Sequence, residues 1–578
     1  MKLLNRKNFL KGGVAAAAVA LFSGLRGPAL ANTAPQKQSA SKRKRPNILL
    51  VLTDQERSRA DLPAELSLPR RDEFAATATN FTNYHGNVVA CGPSRSVIYT
   101  GQHIQKTGVF DNPGMAPGRK DLDPQLTPTI GMMLKDQGYR TAYFGKWHLH
   151  GFGEKERKNI PAALARFGFD EFRPPVPEGD TDGAAWEGWK LDPLLASDTV
   201  RWLSSQSRGD TDEPWFLAVN LINPHDIRHF NATGKQGEEM HPHFASDLAD
   251  IPDSKLYQTD LGYALPKSFP GVDSRPVSAH QLYLEDEKYF FGTIPHDNSE
   301  AWRQYQNYYY NCLRDVDQHI GTILDGLENE GLADDTIVIF TSDHGEMAGA
   351  HGLRGKGPFL YKENFRLPLL IRHPDLQPGV STDALACSLD LVPTILAAAG
   401  VDRGQRQEDY PQLKGKNLLS ADDEGESREA ILFMSNIVHC CNPDNKQHII
   451  ETLYARDRGE QVEPFRFPQD FITLENRSFL RGLYDGRYKF GRYFRPNQHH
   501  QPSDWKTLTR YNDLELYDTE LDPDEMLNLA EDVAYRDLLM TLNGKLNHLL
   551  KTEAGKDDGS LMPGAPSSWK LNSPQGLF

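Results

Sequence analysis

Cysteine is scarce in this chain: five in 578 residues, at Cys91, Cys312, Cys387, Cys440 and Cys441. An odd count leaves at least one thiol unpaired, and a bridge between the adjacent Cys440 and Cys441 would be strained, so a disulfide scaffold is excluded. Surplus positive charge is also missing. Lys and Arg number 64 against 79 Asp and Glu, a formal net charge of −15, whereas binding a phosphate backbone needs clustered basic side chains. The one dense basic run, Lys42 to Arg45, precedes the first expected strand and reads as a solvated linker, so no nucleic-acid partner is expected. After the N-terminal segment no apolar stretch is long enough to span a bilayer, and no membrane span is expected. There is no internal repeat.

What remains is the composition of a soluble globular protein, 38% hydrophobic and 25% charged, with length for more than one domain and a large core. The first 31 residues read as an export signal. Lys2, Arg6, Lys7 and Lys11 precede an Ala-rich apolar stretch from Gly12 to Phe22, and Ala29-Leu30-Ala31 offers small residues for cleavage. The run Asn5 to Lys11 resembles a twin-arginine signal with Lys7 in the second arginine position, and the ordinary secretory route stays open. An exported protein, periplasmic or secreted, is expected, with residues 32–45 as a basic linker.

Four short apolar runs each lead into polar residues able to do chemistry. Ile48 to Thr53 precedes Asp54, Thr141 to Phe144 precedes Lys146, Trp215 to Ile222 precedes His225, and Thr336 to Ser342 precedes Asp343. Continuous β-branched and aromatic runs of this length suit strands buried on both faces. Helical patterns lie between them: Leu313, Val316, Ile320, Ile323, Leu324 and Leu327 at three- and four-residue spacing, and Leu126 to Gln137 closed by Gly138. This alternation predicts an α/β fold with a mostly parallel sheet between helices. In such sheets ligands bind beyond the carboxyl ends of the strands, so the four polar ends are expected to converge on one site.

After Gly400 the sequence turns polar and rich in Gly and Asp. Strand-like pieces follow at Phe479 to Tyr484 and Arg487 to Tyr493, around an Asp485-Gly486 turn. The expected organisation is a larger domain over 46–425, a smaller α+β domain with an antiparallel sheet over 426–555, and a Gly-, Pro- and Ser-rich tail over 556–578. His85, His103, His150, His229, His241 and His243 read as solvated loop residues. Trp186, Trp189, Tyr308, Tyr309 and Tyr310 read as core.

The segment Cys91-Gly92-Pro93-Ser94-Arg95-Ser96-Val97-Ile98-Tyr99-Thr100-Gly101 resembles the signature of the formylglycine-dependent sulfatases, Cys-x-Pro-Ser-Arg followed five residues later by Thr-Gly. A buried cysteine capping a helix that begins at Pro93 would account for the cysteine and proline but not for Ser94-Arg95 and Thr100-Gly101. The resemblance runs on in order through Pro46 to Leu50, Gly145-Lys146-Trp147-His148, Ser342-Asp343-His344-Gly345-Glu346, Leu389 to Leu396 and Leu516-Tyr517-Asp518.

It implies an alkaline-phosphatase-like fold and a sulfuric ester hydrolase in which Cys91 is converted to formylglycine (3-oxoalanine) by a formylglycine-generating enzyme. The hydrated aldehyde then supplies a nucleophile carrying its own means of release. It implies one calcium ion held by Asp54, Gln55, Asp343, His344 and the modified Cys91. Gln55 stands where a second Asp is usual and His344 where Asn is frequent, and an imidazole also suits manganese or zinc. Lys146 and His148 match the residues that bind sulfate and the formylglycine hydroxyl. His225 and Lys356 match those at the bridging oxygen, and Arg95 the residue that steadies the aldehyde end. The expected substrate is a sulfated small molecule or glycan. Two alternatives stay open: a phosphonate monoester or phosphodiester hydrolase on the same scaffold, and a non-catalytic protein binding sulfated glycans.

Overall fold

The four apolar runs become neighbouring strands. In the computed structural model, β1 (Asn47–Asp54), β4 (Arg140–Gly145), β6 (Trp215–Pro224) and β7 (Thr336–Ser342) run parallel in the order β4-β6-β1-β7. Leu50 lies opposite Ala218 on one side and Ile339 on the other. Strand β5 (Glu171–Arg173) extends one edge. At the other edge β8 (Leu369–Arg372) runs antiparallel to β7, followed by β2 (Thr79–Phe81) and β9 (Val380–Thr382). A two-residue ladder joins β3 (Tyr84–His85) to β10 (Ala386–Cys387). The structure describes residues 45–112, 121–151, 158–173, 187–208, 213–240, 248–271, 277–419, 428–437, 476–495 and 501–555, with isolated positions between and just beyond them. The expected export segment, Cys440, Cys441, Trp186, His241, His243 and nearly all of the tail lie outside the described residues.

Because side chains alternate across a strand, β1 feeds two cores. Ile48, Leu50 and Leu52 pack with Ile98, Tyr99, Met133, Leu391 and Ile395 on one face. Leu49 and Val51 pack with Leu195, Trp202, Val316, Ile320 and Ile323 on the other. The leucine and isoleucine spacing read from the sequence lies within a 31-residue helix, Ser299–Asn329. Tyr308, Tyr309 and Tyr310 on that helix are buried, as expected of core. The other helix is shorter than its pattern. It spans Ile130–Asp136, because Pro128 disfavours helical backbone at Thr127 and Thr129 caps the first turn by accepting from the Met132 amide at 3.3 Å. Leu126 is left 70% exposed in the preceding turn. His85 and His103 are buried rather than solvated.

The C-terminal part forms a separate antiparallel sheet of β11 (Ile431–Ser435), β12 (Phe479–Tyr484), β13 (Tyr488–Phe494) and β14 (Asn512–Asp518). Asp485 Oδ1 accepts from the Arg487 and Tyr488 amides, at 3.2 and 2.8 Å, which delays the return strand to Tyr488. The sheet packs on the loop after β7. Ideal β-carbons added at Gly482 and Gly491 would come within 2.8 and 2.9 Å of the Leu360 methyls, so the two glycines make room for that leucine as it is placed. The Lys362 amide donates to Glu525 at 2.8 Å, and Tyr361 meets Tyr517 at 5.9 Å between ring centroids. No helix among the described residues is long and apolar enough to cross a membrane.

Candidate active site

Parallel strands deliver their carboxyl ends to one edge. Asp54 is the last residue of β1, and Asp343 follows β7 directly. Lys146 and His148 follow β4, and His225 opens a short 3-10 turn, His225–His229, after β6. Gln55 and His148 hold positive φ, 76° and 54°, a region that disfavours side chains. Across this edge lies the N-terminus of a buried helix, Cys91–Thr100, with Cys91 as its first residue.

Cys91 Sγ lies 3.1 Å from Lys356 Nζ, 3.2 Å from His344 Nε2 and 3.7 Å from Asp54 Oδ1. Arg95, one turn along the helix, is fully buried and spends its planar fork of donors on this edge. Its nitrogens reach Asp343 Oδ2 at 3.0 Å, Asp54 Oδ2 at 3.2 Å, Asn220 Oδ1 at 3.0 Å and the Lys146 carbonyl at 2.9 Å. Lys146 Nζ is 3.0 Å from Asp54 Oδ2 yet has no hydrogen-bond partner of good geometry among the described residues. Gln55 Oε1 accepts from Lys356 Nζ at 2.6 Å, and its Nε2 donates to Glu346. The structure thus gathers every residue singled out above, each at most 7% exposed.

A family model described as Sulfatase matches residues 46–401.

The chain belongs to the sulfatase family.

The uncharacterized sulfatase YidJ of Escherichia coli (strain K12) is 26% identical over 524 residues, covering 87% of this chain and 86% of that protein. The N-acetylglucosamine-6-O-sulfatase of Bacteroides thetaiotaomicron is 28% identical over 410 residues, 64% of this chain and 70% of its own. Among solved structures, a 2-O GAG sulfatase matches with TM-score 0.62 at 21% identity, over 92% of this chain and 97% of its own. The phosphonate monoester hydrolase of Agrobacterium radiobacter matches with TM-score 0.61 at 21% identity, over 88% and 96%. These likenesses establish the alkaline-phosphatase-like α/β fold of this sulfatase.

The donor set of the sulfatase suits a divalent cation. Ligand atoms of Asp54, Cys91, Asp343 and His344 all lie within 4.8 Å of one another, the spread of ligands around one ion at about 2.3–2.6 Å. His344 Nδ1 is 2.9 Å from the Gly345 carbonyl. Donating there, it leaves the Nε2 lone pair facing the cluster, which is how a metal-binding histidine is usually oriented.

Electrostatics set the protonation states. Burial and the charge of Cys91 push Asp54 up, but Lys146, His225 and Lys356 outweigh them and hold its carboxyl well below the usual range. Burial and the neighbouring Asp54 raise Asp343 to about 6, against His344 and Arg95. Burial opposes ionisation of Cys91, yet Lys356, Lys146 and His344 draw its pKa well down. His225 is pushed well below its ordinary value by burial, Lys146 and Lys356. Lys356 is lowered by burial and, in part, by Arg228 and Lys146.

Several supporting residues escaped the sequence reading. Asn220 accepts from Arg95 and from Tyr99 Oη, the latter at 2.7 Å, and interrupts the apolar run Trp215 to Ile222. Glu346 Oε1 accepts from the Tyr305 hydroxyl and the Ala348 and Gly355 amides, at 3.2, 2.9 and 2.7 Å. It thereby folds the loop that carries Lys356 back over the site. Its position three residues after Asp343 does not by itself disclose these contacts.

Proposed function

We propose that this sulfatase hydrolyses sulfate esters of carbohydrates through formylglycine formed at Cys91 by a formylglycine-generating enzyme, with one calcium ion. The observation that carries the reading is Cys91 as first residue of a buried helix, with two lysines, His344 and two carboxylates around its sulfur. Formylglycine supplies, when present, a hydrated aldehyde, one hydroxyl for attack on sulfur and a second for release of sulfate; calcium supplies positive charge for sulfate oxygens. Asp54, Asp343 and His344 hold the ion, with Gln55 beside it, and Arg95 fixes both carboxylates.

Lys146 brings a buried ammonium with unspent donors to the sulfate, and His148 stands with it at Cys91. Lys356, with Nζ 3.1 Å from Cys91 Sγ, joins His225 at the bridging oxygen. Burial, together with the facing Lys146 and Lys356, holds His225 well below its ordinary value in the free site. An arriving sulfate offsets those charges and favours its protonated form, which suits it to protonate the departing alkoxide. A carbohydrate substrate is supported by the relative named N-acetylglucosamine-6-O-sulfatase.

The test combines mass analysis with leaving-group kinetics. The Cys91 peptide of active protein is expected to carry the aldehyde, and intact thiol throughout fully active material would end the covalent reading. His225→Ala should slow a sugar sulfate by about 10²–10⁴-fold and a nitrophenyl sulfate far less, whereas Lys146→Ala should slow both alike. Equal losses for His225→Ala would reassign it to sulfate binding. Preference for an aryl phosphonate over the matching aryl sulfate would move the protein to the phosphonate reading.

A further inference from the structure

Two guanidiniums share one carboxylate at the rim of the site. Arg228 lies in the 3-10 turn that begins at His225, and in such a turn residues three apart eclipse, so Arg228 and His225 occupy one face. Arg228 Nη2 is 3.6 Å from Glu287 Oε1, and Arg354 Nε is 3.6 Å from Glu287 Oε2, both longer than a hydrogen bond. Arg354 also donates to the Gly292 carbonyl, and its side chain is 7% exposed. Arg228 makes no hydrogen bond among the described residues, and its side chain is 17% exposed. Its guanidinium stacks 4.2 Å from the Phe291 ring centroid, which fixes the plane without spending an N–H donor. A β-carbon at Gly355 would stand 3.5 Å from Arg228 Nη1, so that edge lies against the backbone just before Lys356.

Among the described residues one carboxylate, Glu287, serves both guanidiniums, and it lies beyond hydrogen-bond distance of Arg228, whose donors are open to an arriving acceptor. We propose that Arg228 anchors a second anion subsite, which reads a carboxylate or a second sulfate on the sugar whose sulfate ester is cleaved. The inference rests on the sulfatase reading above and narrows its substrate to polyanionic sugars. A planar fork beside the leaving-group histidine matches two oxygens of either group.

The test compares a monosulfated neutral hexose, a disulfated hexosamine and a sulfated hexuronate in wild type, Arg228→Ala and Arg228→Lys. The wild type should favour at least one doubly charged substrate. Arg228→Ala should reduce that preference, the ratio of kcat/KM values, by about 10–100-fold, mainly through KM. Arg228→Lys should restore part of it, since lysine keeps the charge without the fork. Whichever doubly charged sugar loses more identifies the second group. A wild type without preference, or an equal loss on all three sugars in Arg228→Ala, would overturn the subsite. Titration calorimetry with the same sugars and with unsulfated hexuronate reads binding directly. Should no sulfate ester turn over, the sulfatase reading falls, and unchanged hexuronate or disulfated-sugar affinity in Arg228→Ala separately overturns the subsite.

Discussion

At the scale of single residues, Arg95 shows how a signature residue serves the site without facing the substrate. Its donors are spent on Asp54, Asp343, Asn220 and the Lys146 carbonyl, so it fixes the spacing of two buried like charges that would otherwise repel. The same spacing underlies the expected behaviour of the metal. Chelation should abolish turnover and calcium should restore it. Asp343→Asn should raise the calcium needed for half-activation by about 10–100-fold, and Gln55→Asn by less, since only the first removes a charge. Calcium titrations of activity and of Tm check both variants, and restoration by zinc but not by calcium would overturn the ion assigned. Asp54, Asp343, His344 and Lys146 were legible because each ends an apolar run. Glu346 and Arg228 were not, because their importance comes from contacts across the fold with Gly355, Tyr305 and Glu287.

At the scale of elements, the helix that opens with Cys91 explains its own signature. Thr100 ends it, and Gly101 caps it with φ 65°. A β-carbon there would meet Leu413 Cδ2 at 2.7 Å and Val392 Cβ at 2.9 Å. Gly101→Ala combines left-handed backbone with overpacking, and a stability loss of about 2–4 kcal/mol is expected in urea unfolding. An unchanged midpoint would show that Leu413 and Val392 can yield. The central strands were legible because burial on both faces demands continuous apolar runs. The antiparallel edge was not: β2 and β9 have three residues each, and their pairing is set by distant partners such as Ile371 opposite Thr79. The helix expected to begin at Leu126 failed for the opposite reason, since periodicity alone overlooked Pro128.

At the scale of the whole molecule, buried acids tie the two sheets' surroundings together. Glu515 on β14 accepts from Tyr493 Oη at 2.6 Å and Tyr517 Oη at 3.1 Å, and lies 3.6 Å from His280 Nε2 on the helix Val277–Phe291. Burial raises it to about 7, against those hydroxyls, and burial raises Glu363 to about 7 despite Lys362 and Arg57. A carboxyl whose folded pKa exceeds its unfolded value is held more tightly in the folded state. The stability contributed by Glu515 and Glu363 is therefore full below about pH 4.5 and is lost as pH rises towards about 7. Glu515→Gln removes one such proton and should flatten the decline of Tm between those values at fixed calcium. An unaltered slope would show that Glu515 does not titrate there.

The burial of Cys91 also bears on the order of events in the life of the chain. Its side chain is covered, and every residue of its helix is buried. An enzyme that modified Cys91 in the proposed way would have to reach a residue that is 1% exposed. If Cys91 is oxidised as proposed, its burial favours modification of the chain before this helix is packed away.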